Sequence, residues 1–268
     1  MFASRAYFSL SEITDPAKHR AHNEWHQLDH QPENFVLPGV AAGSRWVRPP
    51  DCAAASAVVA PGYADVHYAI MYWFREPLAR SLEDFFILSE RSFQWGRSPQ
   101  IGFTHRPMRG FFVPTKGYAA PRIGRQPDAL AYRPVRGMLV TLSRVERHDE
   151  EAASLARWYD EVRIPDLLEC PGVAGAWTLA AEEADAPGAW PFADRGARAG
   201  AATPNRLQLL YLDEDPLAVL EAIESRTPAW RRAGRLRDNS AVEEIVFASP
   251  LRAIVAWEWD WFAASAPR

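Results

Sequence analysis

Four of the seven histidines fall in one short segment, at positions 19, 22, 26 and 30. Steps of three, four and four residues place these side chains along one face of a helix. Histidine takes up and releases a proton near neutral pH, so the stripe suits general acid–base chemistry. Asp29 lies at the edge of the same face and could orient a ring or take the second proton role. An exposed polar helix face would have the same spacing, so the stripe alone leaves both interpretations open.

The sequence around this stripe occurs twice. Residues 25–40 read WHQLDHQPENFVLPGV and residues 158–173 read WYDEVRIPDLLECPGV, with Trp, Pro and Pro-Gly-Val at a constant offset of 133. A second similarity, EPLA at 76–79 and DPLA at 215–218, has an offset of 139. A repeat of this length indicates a duplicated small domain rather than a solenoid unit. We predict a first half over 1–113, a linker over 114–136 and a second half over 137–268.

Hydrophobic patterns and turn residues predict the order β-α-β-β-α-β in each half, which is the ferredoxin-like unit. In the first half we expect strands at 6–13, 40–48, 66–74 and 100–113, with helices at 15–29 and 77–96. In the second half we expect strands at 138–145, 173–181, 207–212 and 242–261, helices at 149–162 and 216–237, and a long loop at 182–205. Helices on one face of each sheet leave the other face bare, and two such sheets can cover each other. The sequence therefore predicts an α+β protein whose two ferredoxin-like halves form one barrel.

The repeated segment resembles the motif of the dimeric α+β barrel superfamily, most closely its EthD-like members, in which W-Y-x-x-x-H-x-P precedes P-G. The first half matches at Trp25, His30, Pro32, Pro38 and Gly39, with His26 in place of Tyr. The second half matches at Trp158, Tyr159, Pro165, Pro171 and Gly172, with Arg163 in place of His. The resemblance implies a pseudo-dimer within one chain, with pockets between the helices and sheet of each half. It specifies little chemistry, because relatives include cofactor-free monooxygenases, lactone isomerases, polyketide cyclases and some heme proteins.

The repeat allows the two halves to be compared position by position. At offset 133 the pairs are His22 and Leu155, His26 and Tyr159, Asp29 and Val162, and His30 and Arg163. In the second half Leu155, Trp158, Tyr159 and Val162 have the spacing of a buried helix face, so the first half places two histidines and a carboxylate where its twin packs apolar bulk. A buried polar group without a partner costs about 1–3 kcal/mol, which favours a lined cavity at this place. At offset 139 His67 pairs with Arg206, so acid–base chemistry is expected in the first half, while Arg163 could bind an anionic group.

Aromatic residues are candidates for lining a substrate pocket, although core packing would explain them equally well. These candidates are Trp25, Tyr68, Tyr72 and Phe85. Alternation along the strand sends Tyr68 and Tyr72 to one face and Trp73 to the other. The i, i+4 spacing of His22 and His26 is that of metal ligands, yet the pair lacks the glutamate arrangement of zinc proteases, and no metal site is expected. Heme and a divalent metal remain alternatives to a cofactor-free site.

Composition excludes some classes of partner. A net charge of −4 gives no reason to expect nucleic-acid binding, and no apolar run of 18 residues predicts a membrane span. The N-terminal segment has no signal-peptide pattern, and Cys52 and Cys170 are expected as free thiols, which together predict a cytoplasmic protein. A homodimer is possible.

We predict a cofactor-independent enzyme in which His26 or His30 is the general base. The proton would come from an acidic C–H or phenolic O–H of a small planar or polyketide-like substrate, with His67 stabilising an oxyanion. Cyclase, isomerase, lyase and monooxygenase chemistry all fit this scheme. The alternatives are a non-enzymatic protein that binds a small hydrophobic ligand or is associated with stress, and a heme- or metal-binding barrel.

Overall fold

The computed structural model describes residues 2–146, 149–181 and 204–262. Within these residues nine strands form one antiparallel sheet in the order β2-β4-β1-β5-β7-β8-β6-β9-β3. The strands are β1 Arg5–Ile13, β2 Val40–Val47, β3 Val58–Val59, β4 Tyr68–Phe74, β5 Thr104–Ala119, β6 Gly137–Arg144, β7 Val173–Ala181, β8 Arg206–Leu212 and β9 Glu244–Ala253. A further pairing of β2 with β9 closes the sheet into a barrel.

Seven α-helical segments surround the sheet in the described residues. They are α1 His19–Trp25, α2 Gln31–Phe35, α3 Pro50–Ala54, α4 Leu78–Gln94, α5 Glu150–Trp158, α6 Ile164–Leu168 and α7 Pro216–Arg232. Asp15 and Asp149 cap the helical entries of the two halves by accepting backbone N–H groups. No helix among the described residues is long and apolar enough to cross a membrane.

The predicted fold class is confirmed: the chain is an α+β protein in which two ferredoxin-like units form an intramolecular barrel. The order β-α-β-β-α-β recurs in each half, with the short β3 as an addition. The two units join at two seams that differ in length. At the wide seam β5 pairs with β7 from Phe112 to Ala119, whereas at the narrow seam β2 pairs with β9 only at Trp46 and Val47.

Several element boundaries differ from those predicted. The strand β5 continues to Ala119, so residues 114–119 of the expected linker belong to the sheet, because they pair with β7 across the wide seam. The segment between the strands predicted at 40–48 and 66–74 contains α3 and β3, while β9 ends at Ala253 and α7 ends at Arg232. The loop expected at 182–205 falls mainly outside the described residues. The division of the chain into domains at 113 and 137 stays a prediction.

The main apolar core fills the barrel, and residues of both halves contribute to it, including Phe8, Trp73, Trp177 and Phe247. The second half has one continuous apolar layer between its helices and its sheet, which includes Leu155, Tyr159 and Trp230. The corresponding layer of the first half is divided into two smaller apolar clusters, one around Phe85 and one around Tyr68. Polar residues occupy the space between these two clusters.

Candidate functional site

The histidine stripe lies in this divided layer, between the helical segment 19–35 and the sheet of the first half. His22 and His26 are only 1% and 2% exposed, so the stripe is buried rather than solvated. Their counterparts Leu155 and Tyr159 are also buried in the second half. The first half therefore does place imidazole rings where its twin packs apolar bulk.

A π-helical turn over residues 26–30 joins α1 to α2. The N–H group of Gln31 donates to the carbonyl of His26, five residues earlier, in place of the usual i−4 bond. The turn sets the rings of His26 and His30 perpendicular to each other, with their centroids 4.9 Å apart. Residues 159–163 form the same π turn at offset 133. Turns of this kind are frequent at functional sites. Because the π turn is present in both halves, it is a property of the shared fold.

Unpartnered polar atoms concentrate in this layer. The atoms without a protein hydrogen-bond partner include both ring nitrogens of His22, Nδ1 of His26, Nδ1 of His30 and the hydroxyls of Ser9 and Ser11 on β1. Each unsatisfied buried group costs about 1–3 kcal/mol, and native proteins keep few of them. A group of such atoms at one place is the arrangement expected where a polar ligand or solvent enters.

Arg45 on β2 completes the layer, and the sequence interpretation missed it. Its guanidinium is buried, lies 5.7 Å from the ring of Tyr68 and donates from Nη2 to Oδ1 of Asn23 at 2.9 Å, while Nε and Nη1 have no hydrogen-bond partner. No carboxylate among the described residues forms an ion pair with it. Burial lowers the pKa of Arg45 to about 10, so the group stays charged at neutral pH. Offset 133 pairs Arg45 with Thr178, so that comparison would have shown a charged residue in the first half where the second half has a neutral one.

The histidine rings are neutral at physiological pH. Burial is the main cause that lowers the pKa of His30 to about 3 and the pKa values of His22 and His26 well below 6.5. The charge of Arg45 lowers all three values further. A neutral imidazole is the form that accepts a proton, and Arg45 supplies a fixed positive charge close to it.

Asp29 does not hydrogen-bond a histidine ring. Its carboxylate accepts a hydrogen bond from the guanidinium of Arg97, which also forms an ion pair with Glu33 at 3.2 Å. The charge of Asp29 raises the pKa of His30 and so opposes part of the effect of burial. These contacts support an electrostatic role for Asp29 rather than the expected orienting role.

The aromatic candidates surround the stripe. The indole of Trp25 stacks on His30 with centroids 4.6 Å apart and donates to the carbonyl of Arg97. Tyr68 and Tyr72 both face the helices, whereas Trp73 faces the barrel interior, as alternation predicted. Phe85, on α4, packs 5.8 Å from Tyr72 within the apolar cluster and so belongs to the core.

His67 lies at the far end of the stripe, just before β4. Its Nδ1 accepts the backbone N–H of Ile13 at 3.1 Å, and its ring meets His19 at 4.6 Å. Nδ1 of His19 and the hydroxyl of Tyr68 are hydrogen-bonded at 2.9 Å. His67 thus contacts the first histidine of the stripe rather than His26 or His30. His105 lies on β5 and pairs with Glu12 at 3.0 Å.

The predicted equivalence of His67 and Arg206 is wrong by one residue. Tyr72 pairs with Gly43, and Leu210 pairs with Ala176, which is the partner of Gly43 at offset 133. The strands β4 and β8 therefore correspond at an offset of 138, which makes Tyr68 the counterpart of Arg206. The connection from β8 to α7 is one residue longer than the connection from β4 to α4. The offset of 139 between the two helices therefore does not apply to the two strands.

Arg163 is held away from the sheet. Its guanidinium lies over the ring of Trp230 at 5.3 Å, on the side of α7. A cavity of about 440 Å³ between α5 and the sheet of the second half is lined instead by Arg206, Lys116 and Asp160, among others. Arg206 pairs there with the buried carboxylate of Glu243, to which Tyr159 also donates at 2.7 Å. Lys116 pairs with Asp160 at 2.8 Å, so the cations that line this cavity are paired, in contrast to Arg45 in the first half.

The described residues assemble no site for a bare metal ion, and the expectation of a cofactor-free site stays a prediction. No group of three or more His, Cys, Asp or Glu side chains among them is placed to hold a metal. A histidine that ligates a metal almost always donates its second ring N–H to a fixed acceptor, and His22 has no protein partner at either ring nitrogen. The ring of His26 is enclosed by Trp25 at 5.3 Å and His30 at 4.9 Å. Among the described residues that line the 440 Å³ cavity of the second half there is no His, Cys, Met or Tyr.

Comparison with known proteins supports the fold. No family model matches the sequence, and no curated protein matches it. Among solved structures, a candidate chlorite dismutase is similar, with a TM-score of 0.54 at 11% identity over 98% of both chains. An anthrone oxidase-like protein has a TM-score of 0.52 at 13% identity over 94% of this chain and 92% of its own. A DypB variant of Rhodococcus jostii RHA1 in complex with heme has a TM-score of 0.51 at 11% identity over 94% and 93%. At these identities the similarity establishes the dimeric α+β barrel fold alone.

Proposed function

We propose that the first half is a cofactor-independent acid–base enzyme for a small planar or polyketide-like substrate. The observation that carries the proposal is the buried histidine cluster with unpartnered ring nitrogens. Fully buried imidazoles without partners lower stability, and they are retained most easily where they are needed for a reaction.

His26 is the preferred general base, with His30 as the second candidate. The ring of His26 lies between those of His22, 5.9 Å away, and His30, 4.9 Å away. A neutral imidazole there would take the proton from an acidic C–H or O–H group, leaving an enolate or phenolate and an imidazolium. Return of the proton to another substrate atom would give an isomer or a cyclised product, while reaction of the anion with O₂ as co-substrate would give oxygenation.

The two alternative classes make different predictions. A protein that only binds a hydrophobic ligand would direct its histidines to solvent, and the burial of His22 and His26 favours the enzyme instead. A heme or metal protein would show a Soret band or bound metal, and heme appears in one similar structure. An absorption spectrum and metal analysis of the purified protein test this class directly. EthD-like membership, a cytoplasmic location and a possible homodimer remain part of the proposal.

Anthrone offers a direct test, because it is planar and carries an acidic C–H group. Wild-type protein is expected to accelerate exchange of the C10 protons in D₂O, measured by NMR without oxygen. His26→Ala and His30→Ala should each be measured beside His105→Ala, a control outside the cluster. Acceleration that persists in both cluster variants would remove His26 and His30 from the mechanism.

A further inference from the structure

A groove lies at the narrow seam of the barrel. Because β2 meets β9 only at Trp46 and Val47, the remainder of β2 borders a groove. This groove has a volume of about 520 Å³. It is lined by the helical segment at Gln27, Leu28 and Gln31, by β2 at 43–46, by residues 133–135, and by residues 253, 254, 256 and 257.

Arg45 links the groove to the histidine layer. It lines the groove, yet the residue is only 5% exposed. Asn23 holds one end of the guanidinium, and the unpartnered Nε and Nη1 leave donors for an incoming acceptor. Its charge acts on His22, His26 and His30, so the groove and the histidine cluster share this residue.

We propose that the seam groove binds a planar aromatic anion, with the carboxylate or phenolate oxygen at Arg45 and the ring system beside Trp257. A buried cation without a counterion is costly, and an anionic ligand is the chemistry that relieves this cost. The exposed indole of Trp257 supplies flat apolar surface for a ring, and Gln31 supplies a polar side chain at the wall. This inference extends the proposed function by naming the substrate class, and it rests on that proposal for the reaction that follows binding.

Equilibrium binding tests the groove without turnover. The probes are 2-naphthoate and its neutral isostere 2-naphthamide, titrated against the full-length protein by calorimetry. Wild-type protein is expected to bind naphthoate more tightly. Arg45→Gln should weaken naphthoate binding about 10- to 100-fold and leave naphthamide binding nearly unchanged, since a charge-assisted hydrogen bond is lost. Arg45→Lys should retain part of the preference.

A matched control is Arg157→Gln, which removes the same charge from an exposed residue paired with Glu150 in the other half. This variant should bind naphthoate as the wild type does. Circular dichroism of each variant verifies folding, and Trp257→Ala should weaken both probes. Equal binding of the two probes, or naphthoate binding that survives Arg45→Gln, would overturn the inference.

The same variants separate this inference from the proposed function. His26→Ala should retain naphthoate binding while losing proton exchange. Naphthoate binding that depends on Arg45, in a protein with no exchange activity, would refute the enzyme proposal and support the groove. Proton exchange in a protein that shows no preference for naphthoate over naphthamide would support the enzyme proposal and refute the proposed anion site in the groove.

Discussion

Replacing His22 with leucine, its counterpart in the second half, should make the protein more stable. The ring of His22 is 1% exposed and neither of its nitrogens has a protein partner. Leu155 occupies the equivalent position among apolar neighbours. Leucine at position 22 would therefore remove an unsatisfied polar group and add apolar burial.

The size of the gain depends on pH. Removal of unsatisfied polar atoms is worth about 1–3 kcal/mol at pH 8, where the histidine is neutral both folded and unfolded. The pKa of folded His22 lies well below 6.5, so below that pH the unfolded chain takes up a proton that the folded protein refuses. Above pH 6.5 this proton uptake does not affect the free energy of unfolding. As the pH drops below 6.5, the uptake lowers the free energy of unfolding of the wild type. At pH 5.5 this linkage costs the wild type on the order of 1 kcal/mol, which leucine abolishes.

Urea unfolding of wild type and His22→Leu at pH 8 and pH 5.5 measures both contributions. The free energy of unfolding should rise by about 1–3 kcal/mol at pH 8 and by roughly a further 1 kcal/mol at pH 5.5. The control His105→Gln removes a histidine paired with Glu12 and should give no increase at pH 8. A His22→Leu variant no more stable than wild type would show that the ring nitrogens are satisfied in solution, and the central observation behind the site would lose its force.

Three further substitutions test other parts of the molecule by the same unfolding measurement. Gly43→Ala should cost about 1–3 kcal/mol, because the new Cβ would lie 2.7 Å from the ring of Tyr72. Tyr159→Phe should cost about 1–3 kcal/mol, because it removes a donor from the buried carboxylate of Glu243. Arg45→Met should stabilise the protein by up to about 3 kcal/mol, the free energy that corresponds to lowering the pKa from 12.5 to about 10.

The sequence predicted most of the fold and part of the site. Element order follows from periodicity and turn residues, and β7 has the predicted bounds of 173–181. The π turn at 26–30 has no periodicity signal, so the helix was expected to end near Asp29 although helical structure continues to Phe35. Arg45 was missed because one arginine in a strand resembles an exposed residue. Its burial depends on how the helix covers the sheet.

The location of the polar residues supports a division of labour between the halves. Inside the barrel both halves contribute apolar residues to one core, so the interior keeps the two halves together. Outside the barrel the second half has a continuous apolar layer, and its Arg206 is paired with Glu243. In the first half the apolar layer is interrupted where His22, His26 and Arg45 lie. Because a simple structural role would favour the arrangement of the second half, this interruption is the strongest argument that the first half binds and transforms a ligand.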